Sequence, residues 1–224
     1  MEDKKFWDNY AKKRPGPNDK IVKAFIKDKL NIIKKIIPDF DNYSILDVGC
    51  GNGRFLFHFK SKRKFGIDYA EKMINEAKKY LDDSILKVAD GYNLPFVNES
   101  FEIVFGGCYL HNLSNDIKAL QEIKRVSKKY VVLVEPNPLN PLMALFNLFS
   151  GEENIKNVFK FNKKYYRKIF KANGFNVKCF TRGMITPNRT PKLLLPLLKI
   201  LEKTPLPKLI GFYYIIIGEK IQKT

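Results

Sequence analysis

Residues 44–55 read Ser44-Ile45-Leu46-Asp47-Val48-Gly49-Cys50-Gly51-Asn52-Gly53-Arg54-Phe55, an apolar run, an acid and then three alternate glycines. The run from Tyr43 to Val48 suits a short buried strand. A strand that turns sharply needs residues tolerant of positive φ, and it needs no Cβ where a ligand lies against the backbone. The spacing also bears on which ligand that is. A dinucleotide site favours G-x-G-x-x-G and sets a pyrophosphate on a helix N-terminus. Here the glycines alternate and Asp47 stands just before them. A carboxylate repels a pyrophosphate and attracts an ammonium group.

Working outward, the apolar pattern changes type in a regular way. Residues 19–37 carry apolar side chains at helical spacing and stop before Pro38. Phe55 onward reads as a helix, Lys64 to Ile67 as a second strand and Ala70 to Leu81 as an amphipathic helix. Further strands are expected at Ile85 to Ala89, Phe101 to Phe105 and Tyr130 to Glu135. Ser114, Asn115 and Asp116 offer N-caps to the helix between the last two. Strand and helix alternate five times, which predicts an α/β fold built on a parallel sheet.

After Pro136 the rhythm changes. Residues 137–150 are apolar with two prolines, and 163–173 form a basic amphipathic helix. Phe175 to Arg182 reads as a sixth strand, 191–208 as an apolar stretch with interspersed lysines, and 211–220 as a last strand. No Gly/Ser linker divides the chain, so we expect one domain over 1–224. Within it, 1–136 would form a cofactor-binding core, and 137–224 the substrate lid elements and last strands.

Composition narrows the function classes. The chain has 224 residues, with 41 Lys+Arg against 23 Asp+Glu, a formal net charge of +18. Residues 1–113 carry 20 basic and 16 acidic side chains, whereas 114–224 carry 21 and 7. Such a basic half points to an anionic partner, although a generally lysine-rich chain gives the same figure. No apolar run of 18 residues and no apolar leader are present, so a membrane span and a secretory signal are not expected. Cys50, Cys108 and Cys179 lie far apart, which excludes a zinc ribbon and suits a reducing, cytoplasmic setting.

Two further acids extend the site. Asp68 ends the second strand, where a carboxylate can accept from both hydroxyls of a ribose. Asp90 closes the third strand and precedes Gly91, a pairing suited to the amine and ring edge of adenine. Together with Asp47 they converge on the crevice where open α/β sheets bind ligands.

At these residues the chain resembles the class I S-adenosylmethionine-dependent methyltransferases, most closely the quinone-biosynthesis and small-molecule group. The matching stretches are LDVGCGNGRF (46–55), FGIDYAEKMI (65–74), VADGYNLPFVNESFEIVFGG (88–107) and ALQEIKRVSKKYVVLVEPNP (119–138), with FWDNYA (6–11) as an opening helix. The resemblance implies a Rossmann-like sheet of seven mostly parallel strands, helices on both faces and a late antiparallel strand near 211–218. It implies S-adenosyl-L-methionine as cofactor and no metal. Gly49, Gly51 and Gly53 would admit the methionine part, Asp47 its ammonium, and Tyr10 or Arg14 its carboxylate. Asp68 would hold the ribose, Tyr69 and Met73 would pack on adenine, and Asp90 with Gly91 would read its edge. Gly106, Gly107 and Cys108 would border the sulfonium.

The acceptor side is less determined. His111, in GGCYLHNL, is the candidate general base, against the simpler reading of a loop histidine that only hydrogen-bonds its surroundings. Cys108 lacks the proline neighbour of cytosine C5-methyltransferases and is read as pocket lining; GGCY also departs from the N-P-P-Y motif of adenine amino-methyltransferases, and both departures speak against a base-modifying enzyme. Leu139, Leu142, Met143, Leu145, Phe146, Leu148 and Phe149, then Leu193 to Leu201, sit with most of the positive charge. That combination fits an apolar or amphiphilic small-molecule acceptor, with an anionic membrane surface as a second partner. The alternatives are a tRNA or rRNA methyltransferase, which scarce arginine and the lack of an RNA module weaken, and a non-catalytic S-adenosylmethionine-binding protein. Oligomeric state is not readable.

Overall fold

The protein is described here by a computed structural model covering residues 4–81, 85–141, 159–187 and 190–221. The apolar residues expected of a lid at 142–149 lie outside the described residues. Seven strands form one sheet: β1 Ile45–Val48, β2 Lys64–Asp68, β3 Ile85–Val88, β4 Phe101–Gly107, β5 Ser127–Pro136, β6 Phe175–Arg182 and β7 Tyr213–Lys220. Their order is β3-β2-β1-β4-β5-β7-β6. The first five pair in parallel, and β7 runs antiparallel between β5 and β6. Strand order reverses at β1, which stands between β2 and β4. Loops leaving neighbouring strands in opposite directions at such a point open a crevice at the strand C-termini.

Period-two alternation sorts the side chains onto two faces. Val132, Val134, Ile215 and Ile217 meet α2 (Lys20–Ile36) on one face, beside Phe40, Phe55, Phe59 and Phe105. Val131, Leu133, Tyr214 and Ile216 meet α4 (Asp116–Val126) and α5 (Lys163–Ala172) on the other. Of the three N-cap candidates at 114–116, Asn115 takes the role. Asp19 accepts from Ile21 and Val22 N–H at the start of α2, and Asn115 from Lys118 N–H at the start of α4. The remaining helices are α1 Lys4–Tyr10, α3 Glu71–Ala77, α6 Leu195–Leu201 and α7 Leu206–Ile210. None is long and apolar enough to cross a membrane among the described residues.

Several expected boundaries move. Phe55 does not begin an α-helix; residues 51–55 turn and only Leu56–His58 closes a 3-10 turn. Phe55, Leu56 and Phe59 are all buried in this short, tightly turned stretch before β2. α3 stops at Ala77, and Leu81 instead packs under the glycine turn. β3 ends at Val88, so Asp90 lies in the loop beyond it and is exposed. The apolar stretch at 191–208 forms two short helices separated at Pro205. The last strand, expected from 211, starts at Tyr213 because Gly211 is wedged against the backbone of Arg182 and Pro207.

Phe105 is fully buried at the centre of β4, with ring centroids 4.8 Å from Phe55 and 5.1 Å from Phe59. Phe105→Ala should cost about 3–5 kcal/mol in urea unfolding. A loss under about 1 kcal/mol would show that this layer is not tightly packed.

Candidate active site

The glycine turn is held by the acid of the next strand. Gly49, Gly51 and Gly53 all take left-handed φ, at 70°, 55° and 77°. The Asp68 carboxylate accepts from Gly51 N–H at 2.8 Å with one oxygen and from Ala70 N–H at 2.9 Å with the other. It thereby ties the turn after β1 to the end of β2. Burial raises the Asp68 pKa, while these two backbone donors and Arg14 pull it back down.

Side chains beyond the glycines capture the N-terminal segment. Asn52 Nδ2 donates to Pro15 O at 3.2 Å, Arg54 Nε donates to the same carbonyl at 2.8 Å, and a His58 ring nitrogen lies 3.0 Å from Pro17 O. Burial and the Arg14 charge lower the Arg54 pKa to about 9. The captured segment brings Arg14 over the turn: a Cβ on Gly51 would lie 2.7 Å from Arg14 Nη1. α1 docks beside it. Trp7 and Tyr10 pack on Ala70 and Met73, and Asp8 accepts from Lys72 N–H at 3.0 Å.

These elements enclose a cleft of about 900 Å³ at the switch point. The structure brings Tyr10, Arg14, Gly49, Asp68, Tyr69, Met73, Asp90, Gly91 and His111 to its wall. Asp47 sits just behind Gly49, 2% exposed, and its Oδ1 has no hydrogen-bond partner. Burial first, then the neighbouring Asp68, push its pKa well above the carboxylate range, with Arg14 opposing. Leu81 and Ala77 lie against Gly53, and Leu133 and Tyr109 against Gly106; Gly51, Gly53 and Gly106 do not line the cleft, whereas Gly107 and Cys108 do.

On the opposite wall, His111 is oriented by a partner the sequence reading does not single out. Glu135, fully buried near the end of β5, accepts from Tyr109 N–H at 3.1 Å and Leu110 N–H at 2.8 Å with one oxygen. Its other oxygen lies 2.6 Å from His111 Nδ1. Three donors satisfy a carboxylate that has no access to water. They also turn the ring so that Nε2 is the nitrogen left for the cleft. An acid inside an apolar strand is the signal that could have found Glu135. Burial, then the Glu135 charge, push the Cys108 pKa up to about 12, which disfavours its thiolate. Tyr109, whose ring fills the space beside Gly49 and Gly91, keeps a buried hydroxyl without a partner.

Residues 46–134 match the methyltransferase domain family. These residues carry a methyltransferase domain of the class I, S-adenosylmethionine-dependent kind. Demethylmenaquinone methyltransferase of Lactococcus lactis is 31% identical over 149 residues, which cover 61% of this chain and 58% of the relative. The tRNA (carboxymethyluridine(34)-5-O)-methyltransferase of Saccharomyces cerevisiae is 33% identical over 84 residues, covering 38% and 30%. The chain spans about half the length of the curated relatives it matches. A solved SAM-dependent methyltransferase of Thermotoga maritima superposes with a TM-score of 0.66 at 20% identity, covering 90% of this chain and 92% of that one.

S-adenosylmethionine, on which the Thermotoga maritima methyltransferase depends, fits the cleft. Its amino-acid end is a zwitterion. Asp47 Oδ1 and Arg14 Nε are buried polar atoms of opposite charge type, neither with a partner, on either side of the glycine turn. An ammonium supplies what Asp47 lacks, and a carboxylate what Arg14 lacks.

That pairing has a measurable stability signature. The folded-state pKa of Asp47 is raised, so the native state keeps a proton that the unfolded chain loses just above pH 4. As pH rises beyond that, Asp47 costs the ligand-free protein stability. Asp47→Asn should therefore unfold like the parent near pH 4 and be about 1–3 kcal/mol more stable at pH 7. In calorimetry it should bind S-adenosylmethionine at least about tenfold more weakly. Equal affinity together with equal stability at pH 7 would refute the role given to this acid.

Proposed function

We propose that the chain transfers a methyl group from S-adenosylmethionine to a small apolar or amphiphilic acceptor, with His111 as general base. The observation that carries this reading is the 2.6 Å contact of His111 Nδ1 with buried Glu135 on the wall of the cleft. The bound cofactor supplies a methyl group on a sulfonium that is already an activated leaving group. Catalysis then rests on positioning and on removing a proton from the acceptor. Glu135 fixes the imidazole tautomer with its proton on Nδ1, so Nε2 can take the acceptor's proton, and the carboxylate offsets the charge that forms.

The remaining assignments rest on the same reading. Asp47 and Arg14 hold the amino-acid end, with Tyr10 beside them, and Asp68 takes the ribose. Tyr69 and Met73 pack on adenine, and Asp90 with Gly91 reads its edge. The acceptor faces Phe25, Phe55, Pro136, Pro138, Phe161 and Tyr213, an apolar wall that excludes water from the reacting atoms. Such a wall suits an apolar or amphiphilic molecule better than RNA, which calls for stacking platforms and phosphate contacts. We read 1–224 as one cytoplasmic domain, with the cofactor held by 1–136 and the acceptor side built by 137–224. The basic charge of the latter meets an anionic membrane surface rather than nucleic acid.

Release of S-adenosylhomocysteine across a panel of phenols, quinols and amphiphiles, with unmodified tRNA included, tests this reading. An apolar hydroxylated or carbon-acid acceptor should turn over. His111→Ala should then lower kcat by about 10²–10⁴ while S-adenosylmethionine affinity stays within about twofold. Turnover with tRNA alone, or an unchanged kcat, would overturn it.

A further inference from the structure

One face on the acceptor side is apolar, basic and uncovered. Fourteen large apolar side chains are exposed among the described residues, and six of them fall within 193–210: Leu193, Leu194, Leu197, Ile200, Leu209 and Ile210. Leu193 is 89% exposed, Leu209 75% and Ile200 63%. Of this segment only Leu195 and Pro207 are buried, enough to pin α6 and α7 while their neighbours point outward. Exposed aliphatic side chains at this density mark an interaction surface rather than chance exposure.

The charges on the same face are of one sign. Lys192, Lys199, Lys203 and Lys208 are interleaved with the leucines and exposed. The one acid of the segment, Glu202, turns inward and accepts from Met184 N–H at 2.7 Å. The face also adjoins the mouth of the cleft. Thr186 and Pro187 line the cleft just before α6 begins its approach, and Tyr213 lines it just after α7 ends. Asn137 Nδ2 donates to Gly211 O at 2.7 Å and Asn140 Nδ2 to Ile210 O, which bonds the Pro136–Pro138 edge of the cleft to the end of α7.

We infer that α6 and α7 form a docking surface for an anionic lipid bilayer, seating the cleft mouth at the membrane. Leu193, Leu197, Ile200 and Leu209 enter the boundary between headgroups and acyl chains. The lysines, with long apolar stems, keep their ammonium groups at the lipid phosphates. A second copy of the chain fits this face poorly, because a twofold contact would bring the lysines against one another. RNA fits poorly as well, since residues 191–210 contain no aromatic side chain on which a base could stack and no arginine. The inference extends the proposed acceptor class by naming where an amphiphilic acceptor is met. Docking itself does not depend on methyl transfer.

Flotation of the whole chain, without cofactor or acceptor, tests it. At low salt, vesicles of phosphatidylcholine with phosphatidylglycerol should retain at least about tenfold more protein than phosphatidylcholine alone. The triple variant Leu193→Glu, Leu197→Glu, Leu209→Glu should lower retention on anionic vesicles about tenfold or more, with Tm and S-adenosylmethionine affinity unchanged. Loss of methyl transfer in that variant is not required, so failure here leaves the catalytic reading standing. Equal retention on both vesicles, no retention, or retention that the triple variant preserves would overturn the inference. So would a concentration-dependent dimer, or tRNA binding, that the triple variant abolishes.

Discussion

Two carboxylates at the C-terminal ends of adjacent strands, Asp47 on β1 and Asp68 on β2, share the field of one nearby guanidinium, Arg14. Most of the site results from managing that charge. Asp68 is stabilised by two backbone N–H groups, and using Gly51 as one of them forces the turn after β1 into left-handed backbone. Only glycine tolerates that conformation cheaply, and only glycine at 51 leaves room for the arginine. Asp47 has no such donors at its Oδ1 and stays strained by burial. A zwitterionic ligand with a ribose answers the deficit of the site more completely than water or a side chain does.

The same stretch of chain does a second job. Asn52, Arg54 and His58 bind the carbonyls of Pro15 and Pro17, so the glycine turn both bends the strand and catches the segment that carries Arg14. Across the cleft a comparable economy holds. Glu135 would be prohibitively costly as a lone buried acid, yet three donors from residues 109–111 make it the anchor of the loop after β4 and the orienter of His111.

The sheet is largely legible in the sequence because buried parallel strands are written as unbroken apolar runs. Tyr130 to Glu135 and Phe101 to Phe105 both fall inside strands only slightly longer than expected. The segment after Phe55 misleads because its apolar spacing is compatible with a helix. The decision against a helix comes from tertiary demands: the turn glycines, the short span to β2 and the capture of the N-terminal segment. In the cleft, acids at or just beyond strand ends are readable from position: Asp68 and Asp90 reach the wall, and Asp47 lies buried behind it. Asn52 and His58 are not readable in this way, because their roles consist of partners distant in sequence, and for Glu135 the apolar strand around it marks the residue but not the loop it anchors. At Gly53 and Gly106 the missing Cβ makes room for packed side chains, Leu81 at the one and Leu133 at the other, which no local pattern announces.

The central claim is that the ends of β1 and β2 form an S-adenosylmethionine site organised around Asp68. Calorimetric titration of S-adenosylmethionine into the unaltered chain and into Asp68→Ala addresses it most directly. The account predicts saturable one-site binding to the former and a loss of about 1.5–3 kcal/mol or more, at least roughly tenfold in affinity, in the latter. No binding to the unaltered chain, or equal affinity for both, would contradict it.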